Sequence, residues 1–206
     1  MIQSINESLQ NPKQGEPVWG ITRLYPQQGG WSVEEYLALD TNIRIEYVNG
    51  CLEFPPMPTE DHQWIAGILY RLLFREIAER GLGRVYMMGY RVQVPNGKFR
   101  EPDVVCILAR NQSRIGKQYT AAADLVVEVV SPDDPARDLE TKRAEYAAAG
   151  IAEYWIADPR DRTLTILTLD EQERAYHQAG RYTTSETAQS LLIDGFTVEV
   201  SQIFSD

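Results

Sequence analysis

Cysteine is scarce. Only Cys51 and Cys106 occur in 206 residues, too few for a disulfide framework or a four-thiolate zinc site. Both stand in apolar, strand-like runs, so they are expected to be reduced core thiols in a cytoplasmic protein. No stretch approaches the roughly 18 uninterrupted apolar residues of a membrane span. Residues 1–20 are polar, without the apolar core of a secretory signal, so no membrane partner and no export are expected. Repeats, low-complexity tracts and a convincing linker are also missing. With 43% hydrophobic and 24% charged residues the composition is that of a globular chain. The expectation is one domain over 1–206: an irregular lead-in at 1–30, a core at 31–158 and a β-rich extension at 159–206.

An overall excess of positive charge is absent too. The net charge of −10 argues against a general nucleic-acid binder. Its distribution is uneven, however. Arg71 to Lys117 holds ten basic and four acidic residues, a local +6, against −6 for residues 1–70 and −10 for 118–206. Such a segment is either a set of solvated faces or a basic surface for a polyanion such as DNA, and charge alone does not choose.

The periodicities predict an α/β fold. Ser32 with Glu35 three positions on has capping-box spacing for a short helix, Val33 to Leu39. Alternating runs on either side of Asn49-Gly50 (Ile43–Val48 and Cys51–Phe54) predict a hairpin, since both turn positions need positive φ. Ile65, Ile68, Leu69, Leu72, Leu73 and Ile77 mark one face of a helix over about 60–80, capped by Thr59 or Asp61 and stopped at Gly81. Strands are predicted at Arg84–Val94, Asp103–Leu108 and Leu125–Val130, then a helix from about Pro135 to Ala149 and a strand at Glu153–Ala157. Arg162–Leu169 alternates well, and a last hairpin-like region contains Tyr176–Tyr182 and Phe196–Val200. The core order is helix, three strands, helix, strand, in a mixed sheet flanked by helices, with a hairpin before it and β additions after.

Glu128 breaks the pattern. It stands between valines in a run apolar on both faces, where an unpaired carboxylate costs several kcal/mol. Its partner is either a basic side chain or a divalent cation shared with a second carboxylate. Asp103, which opens a strand just after Pro102, is a natural second carboxylate, or else only a strand-initiating cap. Ligation by two carboxylates, a main-chain carbonyl and waters suits Mg²⁺ or Mn²⁺ better than zinc. Lys142 falls on the inward stripe Leu139, Lys142, Tyr146, Ala149 of the next helix. There it forms a structural ion pair with Glu128, or else holds a water and stabilises charge on a phosphate. Arg143 shares part of that face more weakly.

Glu-Pro-Asp103-Val-Val followed by Val-Val-Glu128-Val-Val-Ser-Pro resembles the PD-(D/E)xK nuclease core. The ordered set Asp124–Pro132, Lys142–Pro159, Arg-Ile-Glu46-Tyr-Val-Asn-Gly and His62 resembles more closely the Uma-two family, bacterial restriction-endonuclease-like proteins expanded in cyanobacteria. The likeness runs from about Trp31 to Asp158 and more loosely beyond. It implies a restriction-endonuclease-like core and a Mg²⁺-dependent DNA endonuclease, with Mn²⁺ as a substitute. By resemblance, Asp103, Glu128 and the main-chain carbonyl of Val129 ligate the metal, and Lys142 contacts the attacking water. The wider superfamily has lysine two positions after the glutamate, where this chain has Val130; in this family the lysine sits on the following helix.

Glu46 is either an auxiliary acid near the metal or the partner of an arginine such as Arg44. His62 is either a proton relay or phosphate contact, or a structural residue of a helix's first turn. Asp158, before Pro159, reads as a turn residue. The alternative function is a non-catalytic module of the same fold binding DNA or a protein. A nuclease subunit that awaits a DNA-binding partner also accommodates the acidity. Cutting two strands often takes two sites, so a homodimer, joined through the aromatic C-terminal β region, is a further expectation.

Overall fold

The computed structural model describes residues 25–41 and 43–204. Most of the expected lead-in, 1–30, lies outside the described residues. Local chemistry sets the first elements. Ser32 Oγ accepts the Glu35 N–H while the Glu35 carboxylate takes the Ser32 N–H, opening α1 (Val33–Leu37), two residues shorter than expected. Asn49 (φ 51°) and Gly50 (φ 80°) join β1 (Glu46–Val48) to β2 (Cys51–Glu53). Thr59 accepts the His62 N–H at the head of α2 (Glu60–Leu73), and a widened turn at Phe74–Ala78 carries the apolar face on to Ile77. All six residues of the expected stripe are buried.

The single strand expected over Arg84–Val94 is instead two strands in different sheets, β3 (Gly83–Met87) and β4 (Arg91–Val94). Gly89 adopts φ +94°, which a strand residue with a side chain would resist, and the chain turns there. β5 (Lys98–Arg100), β6 (Val104–Leu108), β7 (Tyr119–Thr120) and β8 (Leu125–Val129) follow. The next helix begins at Pro135, widens to i→i+5 bonding over Arg137–Lys142 and continues as α3 (Arg143–Ala149). β9 (Glu153–Asp158), β10 (Thr163–Asp170), β11 (Ala175–Tyr182), β12 (Thr187–Gln189) and β13 (Thr197–Glu199) complete the order. The last region is not one hairpin: β11 returns on β10, and β13 pairs with β12. Asp158 accepts the Arg160 N–H, as a turn residue does.

The main sheet runs β11-β10-β9-β8-β6-β3, antiparallel throughout except for the parallel pair β8–β9. A second sheet, β2-β1-β5-β4-β7, carries the N-terminal hairpin. The architecture is thus mixed α/β with helices on mixed sheets. Along β8 the side chains alternate between two cores. Leu125, Val127 and Val129 pack with α2 and C-terminal residues such as Phe196 and Ile203; Val126 and Val130 pack with Tyr146 and Ala147 of α3 and Val92 and Val94 of β4. Both faces are covered, which is why the run reads as apolar on both sides apart from Glu128. A third core (Trp31, Tyr36, Ile45, Tyr47, Leu52, Phe99) fills the second sheet. The cysteines are unpaired, Cys106 in the core and Cys51 half-buried.

Gly83 opens β3 against β6, where a Cβ would stand 2.8 Å from the Leu108 Cα and closer still to the Ile107 carbonyl oxygen. Both neighbours are backbone, so neither can swing away. Gly83→Ala is expected to lose about 1–3 kcal/mol, the range for overpacking, read as a lower urea midpoint with an unchanged slope. A midpoint equal to wild type would mean that the strand shifts at no cost.

Candidate active site

Topology brings the two sequence-predicted carboxylates together. β6 and β8 pair with Val104 opposite Val127, so one step further Asp103 stands opposite Glu128 on the face that meets α3. Both are buried, at 1% and 2% exposure. Asp103 Oδ2 accepts the Val129 N–H at 2.8 Å, so its carboxylate continues the ladder where β6 has not yet begun. The strand-capping role is therefore real. It occupies only part of the group, because Oδ1 lies 3.2 Å from Arg44 Nη1 and Oδ2 lies 3.1 Å from His62 Nε2.

Lys142 reaches Glu128 from the helix. Its Nζ lies 2.9 Å from Glu128 Oε1, 3.0 Å from Asp138 Oδ1 and 3.7 Å from Glu46 Oε1. Tyr146 O–H donates to the same Glu128 oxygen at 2.6 Å. The widened turn changes the expected stripe. Asp138, Lys142 and Tyr146 are buried in register at four-residue steps, whereas Leu139 and Ala149 are half-buried. Arg143 turns elsewhere and donates to the Tyr176 carbonyl.

Glu46 is fully buried and sits on cations, but Arg44 is not among them. Its Oε2 takes Arg100 at 2.7 Å and Arg137 at 2.6 Å, and its Oε1 takes the Glu101 N–H at 3.1 Å. Arg100 also bonds Glu53 and Glu145, and Lys98 bonds Glu145. Glu46 thereby locks the hairpin to the helix that carries Lys142. It touches the site through Lys142 and Arg137.

The electrostatics follow from burial and this company. Burial alone would raise the Glu46 carboxyl, but Lys142, Arg100 and Arg137 hold it far below the usual range. Burial is likewise overcome at Asp103, which His62, Arg44 and Lys142 keep low. At Glu128 burial wins: with Asp103, Asp138 and Glu46 adding repulsion, the carboxyl is pushed up to about 8 despite Lys142. Lys142 pays for burial too, yet the four surrounding carboxylates keep it firmly protonated.

A cavity of about 110 Å³ opens over these groups, lined by Arg44, His62, Asp103, Glu128, Arg137 and Lys142 beneath the Pro55–Pro58 segment. A hollow of about 430 Å³ beyond the first turn of α2 is lined by Trp64, Arg162 and Phe204 among others and shares none of these side chains. Among the described residues, Asp170, Glu173 and His177 form an exposed trio with ligand atoms within 4.8 Å. There Asp170 already accepts the Gln172 and Glu173 N–H groups of a turn.

Sequence reasoning misses Arg137, Arg100 and Asp138 as site members, and of these only Asp138 carries a local signal, standing four residues before Lys142. Arg137, five before, shares that face only because the turn widens. Three of the ten cations of the basic segment, Arg91, Lys98 and Arg100, point inward to carboxylates, whereas Arg71, Arg75, Arg84, Arg114 and Lys117 are exposed.

Two opposed carboxylates, buried yet open to a cavity, are oxygen donors of the kind a hard divalent cation takes. Residues 33–201 match the Uma2 family, described as "Putative restriction endonuclease". No curated protein matches the chain. Among solved structures, a "putative nuclease belonging to DUF820" from Anabaena variabilis ATCC 29413 superposes with a TM-score of 0.69 at 17% identity, over 84% of this chain and 97% of that one. At that identity the likeness is one of fold. Among the described residues, no helix is long and apolar enough to cross a membrane.

Proposed function

From the premise that the chain belongs to the Uma2 family, we propose that it is a divalent-metal-dependent nuclease that hydrolyses phosphodiester bonds in DNA. The observation that carries this reading is the pairing of Asp103 and Glu128 across adjacent strands, with Lys142 on a Glu128 oxygen at the floor of a cavity. Asp103 and Glu128 would hold Mg²⁺ or Mn²⁺, with the Val129 main-chain carbonyl as a third donor. The chemistry such a cation would supply is polarisation of a phosphoryl oxygen and a lowered pKa for bound water.

The chain's own groups divide the remaining work. Lys142, kept protonated by four carboxylates, donates rather than accepts: it orients the attacking water and stabilises negative charge as it develops on the phosphate. Tyr146 fixes the Glu128 oxygen that Lys142 shares. His62 Nε2 beside Asp103 orients that carboxylate from the head of α2. Glu46 acts through Lys142 as a positioning residue. DNA approaches over the exposed cations of 71–117, and a second copy of the chain would supply the second strand's site.

The test is Mn²⁺ binding by calorimetry, paired with cleavage of plasmid DNA, for wild type and Asp103→Asn. Binding and cleavage in wild type, with both lost in the variant and cleavage down by at least about 100-fold, are expected, on the scale of removing one transition-state contact. Wild-type protein that neither binds Mn²⁺ nor cuts DNA overturns the proposal in favour of a non-catalytic module.

A further inference from the structure

Among the described residues, five buried side-chain nitrogen or oxygen atoms lack a hydrogen-bond partner. Three of them, Arg44 Nε, His62 Nε2 and Arg137 Nε, belong to side chains lining the cavity over Asp103 and Glu128; His62 Nε2 has the Asp103 carboxylate 3.1 Å away without hydrogen-bonding alignment, whereas the two arginine nitrogens have no acceptor. An unmet buried polar group costs roughly 1–3 kcal/mol, and their concentration in one place calls for a cause. Two of the three are guanidinium N–H groups, which can only donate. What they need is an acceptor, and an anionic one suits them best.

Each arginine is anchored at its tip and open at its neck. Arg44 places Nη1 on Asp103 and Nη2 on the Glu101 carbonyl, and Arg137 places Nη2 on Glu46 and Glu53. Their side chains are 20% and 19% exposed, so both reach the cavity without being free to wander. The anchors fix the planes of the guanidinium groups before any ligand arrives, which reduces the ordering cost of binding. At about 110 Å³ the cavity holds a few groups of water size, each taking roughly 30 Å³. A phosphoryl group fits such a space.

We propose that Arg44 and Arg137 form a clamp for the phosphate of the substrate backbone, each giving its Nε–H to a phosphate oxygen. The inference rests on the nuclease reading of the same site and adds the groups that hold the substrate there. The clamp grips backbone and carries no base information, so the cavity itself imposes no sequence preference.

The experiment is anisotropy of a fluorescein-labelled single-stranded DNA oligonucleotide over a NaCl series, with Ca²⁺ in place of Mg²⁺. Wild type, Arg44→Met, Arg137→Met and Arg137→Lys are compared, each checked by thermal melting. Each methionine variant is expected to bind about 10-fold more weakly and to flatten the plot of log affinity against log salt by about 0.7, the share of one phosphate contact on a single strand. Arg137→Lys keeps the charge and the tie to Glu46, so it should keep the slope; with Arg44→Met it decides the matter if Arg137→Met does not fold. DNA binding with unchanged slopes in folded methionine variants overturns the clamp and leaves the nuclease reading intact. A slope lost equally in Arg137→Lys makes the effect structural and also overturns it. Wild type that fails to bind the oligonucleotide overturns the clamp, and plasmid cleavage by the same protein then decides the nuclease reading separately.

Discussion

Arg100→Met is expected to cost about 3–5 kcal/mol of folding stability, the range for taking one partner out of a buried ion pair. Arg100 is 2% exposed and holds Glu46, Glu53 and Glu145 on one guanidinium. Methionine matches much of its volume, so the loss is of charge rather than of packing. Glu46, with no exposed surface, would be left to Arg137, Lys142 and the Glu101 N–H. Against a typical total of about 5–15 kcal/mol, a substitution at a position that touches no substrate would remove a large part of the fold's margin. Urea unfolding measures it, and a loss below about 1 kcal/mol would show that the neighbouring cations suffice.

The same cluster dictates the acid limb. Because the Glu46 carboxyl is held below its unfolded value of 4.5, its contribution is present above that value and is lost as pH falls through and beneath it. Arg100→Met should therefore lose less stability on acidification than wild type does. A double change, Arg100→Met with Glu46→Gln, is expected to cost less than the sum of the two, since each removes the other's partner.

Glu128→Gln should act in the opposite sense on stability and, on the proposed chemistry, abolish cleavage. The folded-state carboxyl is raised from 4.5 to about 8 by burial. Below pH 4.5 both folded and unfolded chains hold the proton, and no cost arises. As pH rises from 4.5 to 8 the unfolded chain ionises first, so stability falls, and the cost is complete above the folded value. At 1.36 kcal/mol per unit the ceiling is about 5 kcal/mol. Lys142 loses a charged neighbour in the variant, so the net gain is put at about 1–2 kcal/mol, or roughly 2–8 °C in Tm. Glutamine still accepts from Lys142 and Tyr146. Melting curves at pH 5 and pH 8 decide: the variant's advantage must be larger at pH 8, and a variant less stable than wild type at pH 8 would falsify this account. A residue that weakens the fold where it stands is the expected signature of a group kept for chemistry.

How far the sequence carried the fold depended on where each signal resides. Ser32 with Glu35, Asn49 with Gly50 and the α2 stripe are local patterns, and the structure contains each of them. The break at Gly89 was hidden because apolar alternation runs on either side of it. β5 escaped notice because Lys98 and Arg100 look like a polar loop until their partners, Glu145 and Glu46, arrive from elsewhere. Glu128 and Asp103 stood out as charges in apolar surroundings, and the need of Glu128 for a partner pointed to Lys142. What remained illegible was the ring of arginines. Arg44 sits on Asp103 rather than on Glu46 because tertiary pairing, not nearness in sequence, assigns partners. Arg137 depends on a widened helical turn that no residue announces.

The separations within this charge cluster bear on how the protein is made. Glu46 meets Arg137 across 91 residues, Arg44 meets Asp103 across 59, and Glu46 meets Arg100 across 54. Such loops must close before the contacts repay their entropy. A nascent chain acquires Glu128 14 residues before Lys142, an interval of roughly 1–3 s at about 5–20 residues per second. On the proposed chemistry, a growing or prematurely ended product therefore carries half a site and no catalyst. Competence arrives late and in one step, when the helix from Pro135 to Ala149 docks on the sheet.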